Sequence, residues 1–157
     1  MIEPRIITGT EAGAPAVRPP RPRPFALPVP LAVSAGGVLG ALARYGLSLA
    51  LPHARGAFPW ATFLTNVSGC LLIGVLMVLA GEVWAGRRLL RPFLGVGVLG
   101  GYTTFSTSVV DVHQAVAAGA PGTALAYLGA TVTGALAGVW AGSALTARLL
   151  RTRGRRP

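Results

Sequence analysis

The densest run of hydrogen-bonding side chains in this sequence lies inside an apolar stretch, GVGVLGGYTTFSTSVVD. Gly100 and Gly101 precede Tyr102, Thr103, Thr104, Ser106, Thr107 and Ser108, with Phe105 among them. A glycine pair followed by so many hydroxyls makes poor continuous helix. Glycine carries a backbone entropy cost, and Ser and Thr bond readily to nearby main chain. A broken helix presents carbonyls at one broken end and N–H groups at the other, and these bind a cation and an anion respectively. The plainer reading is that the hydroxyls bond to carbonyls one turn back and leave the helix whole.

Other polar groups occupy similarly apolar surroundings. Asn66, in FLTNVSG, offers two N–H donors and is poorly placed facing lipid, so it either ties helices together or lines an ion path. Tyr127 and Thr131 are four residues apart and share a helix face, as a polar track or as interhelical glue. Arg44, in GALARYG, would cost about 2.5–3.5 kcal/mol at a bilayer centre. It must therefore reach the interface or face protein and water. No nucleophile–base pair and no cluster of metal-ligating side chains is visible, which argues against an enzyme. Cys70 is the only cysteine and lies in an apolar run, so it reads as a small packing residue.

The elements that must hold these groups are membrane spans. Of 157 residues, 52% are hydrophobic and 11% are charged, with a mean hydropathy of +0.61. A soluble domain carries about a quarter charged residues, so there is too little charge here for a polar surface. Four apolar segments follow one another, at about 29–51, 60–80, 92–118 and 122–150. Each reaches the roughly 20 residues that cross a hydrocarbon core. Pro52, Pro59 and Gly81 mark ends of the first two. The short loops predict that consecutive helices are antiparallel neighbours. Glycines four apart (Gly36 and Gly40, Gly97 and Gly101, and the ladder Gly134, Gly138, Gly142) predict close helix–helix contacts.

All 14 basic residues are arginine, against 4 acidic residues, for a net charge of +10. Four arginines precede the first span, three lie between the second and third, and five end the chain. With four spans these twelve share one side, and the opposite side has only Arg55. The positive-inside rule then puts both termini in the cytoplasm. Such arginines meet anionic lipid headgroups, and without interleaved aromatics they do not indicate nucleic acid. Residues 1–27, rich in Pro and Arg, read as a disordered cytoplasmic arm rather than a signal peptide. Residues 28–150 are the four-helix transmembrane domain, and 151–157 a basic cytoplasmic tail.

Three segments in order, GGVLGALARYG, TFLTNVSGCLLIG and GVLGGYTTFST, resemble those of the Fluc (CrcB) fluoride channels over roughly residues 32–146. The resemblance implies an all-α bacterial plasma-membrane protein with four transmembrane helices per subunit and an interrupted third helix. It further implies an antiparallel dual-pore dimer that lets cytoplasmic fluoride escape passively. By the same resemblance Asn66, Phe105, Ser106, Thr107, Tyr127 and Thr131 stand at fluoride-pore positions. The positive edge of the Phe105 ring suits an anion. Gly100 and Thr103 stand where backbone carbonyls hold a structural Na+ at the dimer centre. The family pattern TTFSTF reads TTFSTS here, so Ser108 replaces the second pore phenylalanine, and Asp111 stands where glutamate is usual.

A homodimer of antiparallel subunits needs chains that insert both ways, which a twelve-to-one arginine bias opposes. The expected partner is therefore an oppositely oriented paralogue that supplies part of the pore. Two other functions compete with a conducting channel subunit. A four-span drug or metabolite exporter would need a membrane-embedded carboxylate, and only Asp111 could serve. A non-conducting partner subunit is favoured if Ser108 closes the pore.

Overall fold

In the computed structural model residues 28–84 and 86–153 are described. The expected N-terminal arm, 1–27, and the last four residues of the expected tail, 154–157, lie outside them. Helix α1 spans Pro28–Ala50 and α2 spans Trp60–Glu82. Helix α3 is wound as a π-helix over Pro92–Leu99 and closes with an α turn at Gly100–Tyr102. Helix α4 spans Ser106–Ala117, and α5 spans Pro121–Arg153. The architecture is all-helical, with four stretches long and apolar enough to cross a membrane: Pro28–Ala50, Trp60–Glu82, Pro92–Ala117 and Pro121–Thr152.

Local chemistry sets the ends. Proline needs no N–H partner in a first helical turn, so Pro28 opens α1, Pro92 opens α3 and Pro121 opens α5. Gly119, at φ +75°, closes α4 with its N–H on the Val116 carbonyl, while the Ala120 N–H reaches the Ala115 carbonyl. That pair of bonds is a Schellman motif, and it turns the chain within three residues. Helix α5 continues to Arg153, past the boundary expected at residue 150, with Arg148 and Arg151 exposed on its last turns.

Two glycine seams hold the bundle. On one, a Cβ at Gly40 would strike the Val98 carbonyl and lie 2.7 Å from the Tyr102 nitrogen, and a Cβ at Gly101 would strike the Gly37 carbonyl. Gly36 and Gly97 face each other across the same contact between α1 and α3. On the other, Gly134, Gly138 and Gly142 of α5 lie against Val67 and Leu71 of α2, and Gly74 returns the contact toward Val139. Lipid supplies no hydrophobic drive for association, so backbone approach of this kind provides the packing energy.

These seams correct one expectation. The main partner of α1 is α3 and the main partner of α2 is α5, whereas the consecutive helices α1 and α2 touch only slightly. Loop length constrains where a helix starts, but the glycine faces decide against which helix it packs. Gly40→Ala and Gly142→Ala should each cost about 1–3 kcal/mol, the usual penalty of overpacking. Gly46→Ala and Gly129→Ala, where an added Cβ meets nothing within 4 Å, should unfold at or slightly above the wild-type temperature, because alanine loses less backbone entropy in a helix. Thermal unfolding in micelles checks both pairs.

Candidate functional site

The third span breaks between Tyr102 and Ser106, close to its middle. Thr103 takes an extended conformation, φ −77° and ψ 155°, which ends the first half-helix, and Phe105 returns to helical angles. Asn66 of α2 bridges the gap. Its Oδ1 accepts the Thr104 N–H at 2.9 Å, and its Nδ2 donates to the Thr104 carbonyl at 2.9 Å. The second N–H of the same amide donates to Ser108 Oγ, also at 2.9 Å. One side-chain amide thus satisfies both main-chain groups of the residue at the break, which an unpaired backbone in hydrocarbon requires.

Threonine 104 starts the second half-helix. Its Oγ1 accepts the Thr107 N–H, a free donor of the first turn, at 3.2 Å and donates to Thr107 Oγ1 at 3.0 Å. These side-chain bonds divert two main-chain donors from their helical acceptors. The Thr104 N–H goes to Asn66 rather than Gly100, and the Thr107 N–H goes to Thr104 Oγ1 rather than Thr103. The carbonyls of Gly100 and Thr103 are left without those partners. Two freed carbonyls at the C-terminal end of a half-helix are suited to a hard cation such as Na+.

Helix α5 adds Tyr127, which is 1% exposed and donates its O–H to Ser108 Oγ at 2.9 Å. Ser108, itself buried, donates to the Thr104 carbonyl at 3.2 Å. One turn beyond Tyr127, Thr131 Oγ1 is the one buried side-chain oxygen without a hydrogen-bond partner among the described residues. Asn66, Ser108, Tyr127, Thr131, Gly100 and Thr103 line a single cavity of about 500 Å³ with apolar walls from α2 and α5. Ser106 and Thr107 stand one step away and join the cluster through Thr104 Oγ1, at 3.4 Å for Ser106. Phe105 turns its ring outward at the rim, 83% exposed.

The residues expected at the site therefore divide into an inner set, a capping pair and an outward aromatic. Thr104 was not among them, although it is the hub. The spacing of Thr104 and Thr107, a hydroxyl just ahead of a helix and another three residues on in its first turn, is the sequence signal that could have marked it. Arg44 does not extend to the interface: its Nε donates to the Gly101 carbonyl at 3.2 Å, placing a cation at the negative end of the first half-helix. Toward the Ala117 end, buried Asp111 accepts a 2.6 Å bond from Thr62 Oγ1, with His53 Nε2 at 3.9 Å. Among the described residues no group of three His, Cys, Asp or Glu side chains is placed to hold a metal ion.

Residues 31–143 match the family described as CrcB-like protein, Camphor Resistance (CrcB). The chain is 53% identical over 121 residues to a protein of Streptomyces avermitilis, covering 74% of this chain and 77% of that one. That relative is named fluoride-specific ion channel FluC 2. This chain is likewise 53% identical over 125 residues to a Nocardia farcinica protein of the same name, covering 80% of this chain and 89% of that one. A further Streptomyces avermitilis protein, fluoride-specific ion channel FluC 3, is 51% identical over 94 residues, covering 55% and 46%. The matched stretch includes both glycine seams, the break and the bridging asparagine, and the chain belongs to the CrcB-like family of multi-pass membrane proteins.

Proposed function

We propose that this chain is a subunit of a fluoride-specific ion channel that lets cytoplasmic fluoride leave by diffusion. The observation that carries the reading is the convergence of uncharged donors at a helix break in mid-span: the Asn66 amide and the hydroxyls of Ser106, Thr107, Ser108, Tyr127 and Thr131, with the Phe105 ring beside them. Fluoride is small and strongly hydrated, so a pore must replace its water with closely set donors. Amide N–H, hydroxyl O–H and aromatic edges do so without a fixed charge that would trap the ion. The one buried carboxylate among the described residues, Asp111, is already bonded to Thr62, which disfavours the exporter reading.

The outward ring of Phe105 and the freed carbonyls of Gly100 and Thr103 support an assembled state in which a second, antiparallel subunit covers this face. The exposed Ser106 hydroxyl and the unpaired carbonyls beside that ring are a poor lipid surface in the middle of a span. In that assembly the carbonyls of Gly100 and Thr103 from each subunit hold a structural Na+, which offsets the negative ends of the two first half-helices. The arginine bias orients the chain with both termini in the cytoplasm, so the opposite orientation comes from a paralogous chain. Two numbered relatives named as channels in Streptomyces avermitilis support such pairing.

Fluoride efflux from proteoliposomes tests the reading. Asn66→Ala and Phe105→Ile should each lower efflux at least about tenfold, the scale of losing one strong anion contact. Phe105→Ile should leave the fold of the subunit intact, because its ring lies outside the chain's own packed bundle; unchanged efflux in that variant rejects the channel reading. Proton-coupled transport of organic cations would support the exporter instead. Co-expression with a paralogue should yield a mixed dimer, whose dissociation on replacing Na+ by a bulky organic cation would bear out the sodium site. A fluoride-conducting dimer purified from this chain alone would sink the paralogue requirement.

A further inference from the structure

Every amide and hydroxyl hydrogen of Asn66, Ser108 and Tyr127 is engaged within the cluster. Asn66 has two amide hydrogens, one on the Thr104 carbonyl and one on Ser108 Oγ. Tyr127 has one hydroxyl hydrogen, and it too lies on Ser108 Oγ. A serine hydroxyl donates once and accepts twice. Ser108 donates to the Thr104 carbonyl and accepts from Asn66 and Tyr127, so it is saturated. An anion reaching this cluster finds no free donor from these three residues.

We propose that the Ser108 hydroxyl is a resident competitor of the anion: it fills the point on which the Asn66 and Tyr127 donors converge, and fluoride binds there only when Ser108 gives up that place. This rests on the channel reading above. Two donors directed at one oxygen, each at 2.9 Å, make a socket for a small acceptor. Fluoride is such an acceptor and has no hydrogen of its own to place. Thr131, whose buried Oγ1 is unpaired and lines the same cavity, supplies a third donor to the incoming ion. Ser108 vacates the socket by turning about χ1 to another staggered rotamer. Between ions it returns and keeps both donors aimed, so the socket never stands with unpaired groups in a dry setting. A resident acceptor also weakens net ion binding, which favours release over trapping.

The test is fluoride binding by the full-length chain in lipid nanodiscs, followed through the side-chain amide resonances of Asn66 as sodium fluoride is added. Ser108→Ala should lower the half-saturating fluoride concentration about tenfold, since two neutral hydrogen bonds no longer compete. Ser108→Cys keeps the size but is a weak acceptor, so it should shift binding the same way by a smaller factor. Tyr127→Phe should matter more in the Ser108→Ala background than in the wild type, because only there is its hydroxyl free for the ion. Wild-type binding that both Ser108 variants leave unchanged or weaken overturns this assignment and leaves the channel intact. Failure of every folded form to bind fluoride overturns the channel reading and this one together.

Discussion

A polypeptide that interrupts a helix in the middle of a membrane must still satisfy every N–H and C=O it frees, because hydrocarbon offers no partner. In this protein one side chain meets that need at the residue in the middle of the break, Thr104. The carboxamide of Asn66 carries a donor and an acceptor in one plane and closes on the N–H and carbonyl of Thr104. Hydroxyls also donate and accept, but only a carboxamide makes that exchange from two separate atoms and keeps a second N–H, which here goes to Ser108. The break, the cap that restarts the helix and the two freed carbonyls all follow from this pairing.

The pairing holds only if α2 stands at the right distance from the third span and α5 at the right distance from α2. The glycine seams set those distances. Gly69 sits opposite the Thr103 methyl, where a Cβ could not be accommodated, so α2 approaches the break closely enough for Asn66 to reach it. On the other side of α2, Gly134, Gly138 and Gly142 bring α5 in, which delivers Tyr127 to Ser108. The edge of Phe58 against the Tyr127 ring, at 5.6 Å, braces it from the loop before α2. Packing and polar site are thus one arrangement: the small residues have no chemistry of their own but decide whether the donors meet.

The same logic explains what faces outward. Gly100 and Phe105 border the cavity and are exposed, while Arg44 ties the end of the first half-helix from α1. A guanidinium near mid-span is tolerable because it meets a carbonyl at a negative helix end, not lipid alone. The polar break is thus met by side chains from α1, α2 and α5, while Gly100, Phe105 and Ser106 beside it are left open. That openness is the physical reason the proposed function calls for a second subunit.

Composition and spacing alone determined the membrane class, the four spans to within a few residues and the presence of a weak point after Gly100. Each is a local property: apolar length, proline and glycine at the ends, and hydroxyls that compete with helix hydrogen bonds. The resemblance of three short segments also pointed to Asn66, Tyr127 and Gly100 before any contact was known. What the sequence left open were the choices between two uses of the same group. Whether Asn66 was glue or donor, whether Arg44 reached the interface, and which helices paired depended on residues 38 to 57 positions away in the chain. Thr104 was visible only as one hydroxyl of the run, because the bonds it exchanges with Asn66 are made by its backbone, to which side-chain type is a poor guide. Ser108 showed as a missing phenylalanine in sequence; only the tertiary structure revealed a hydroxyl accepting from both Asn66 and Tyr127, since that requires three helices to meet at one oxygen.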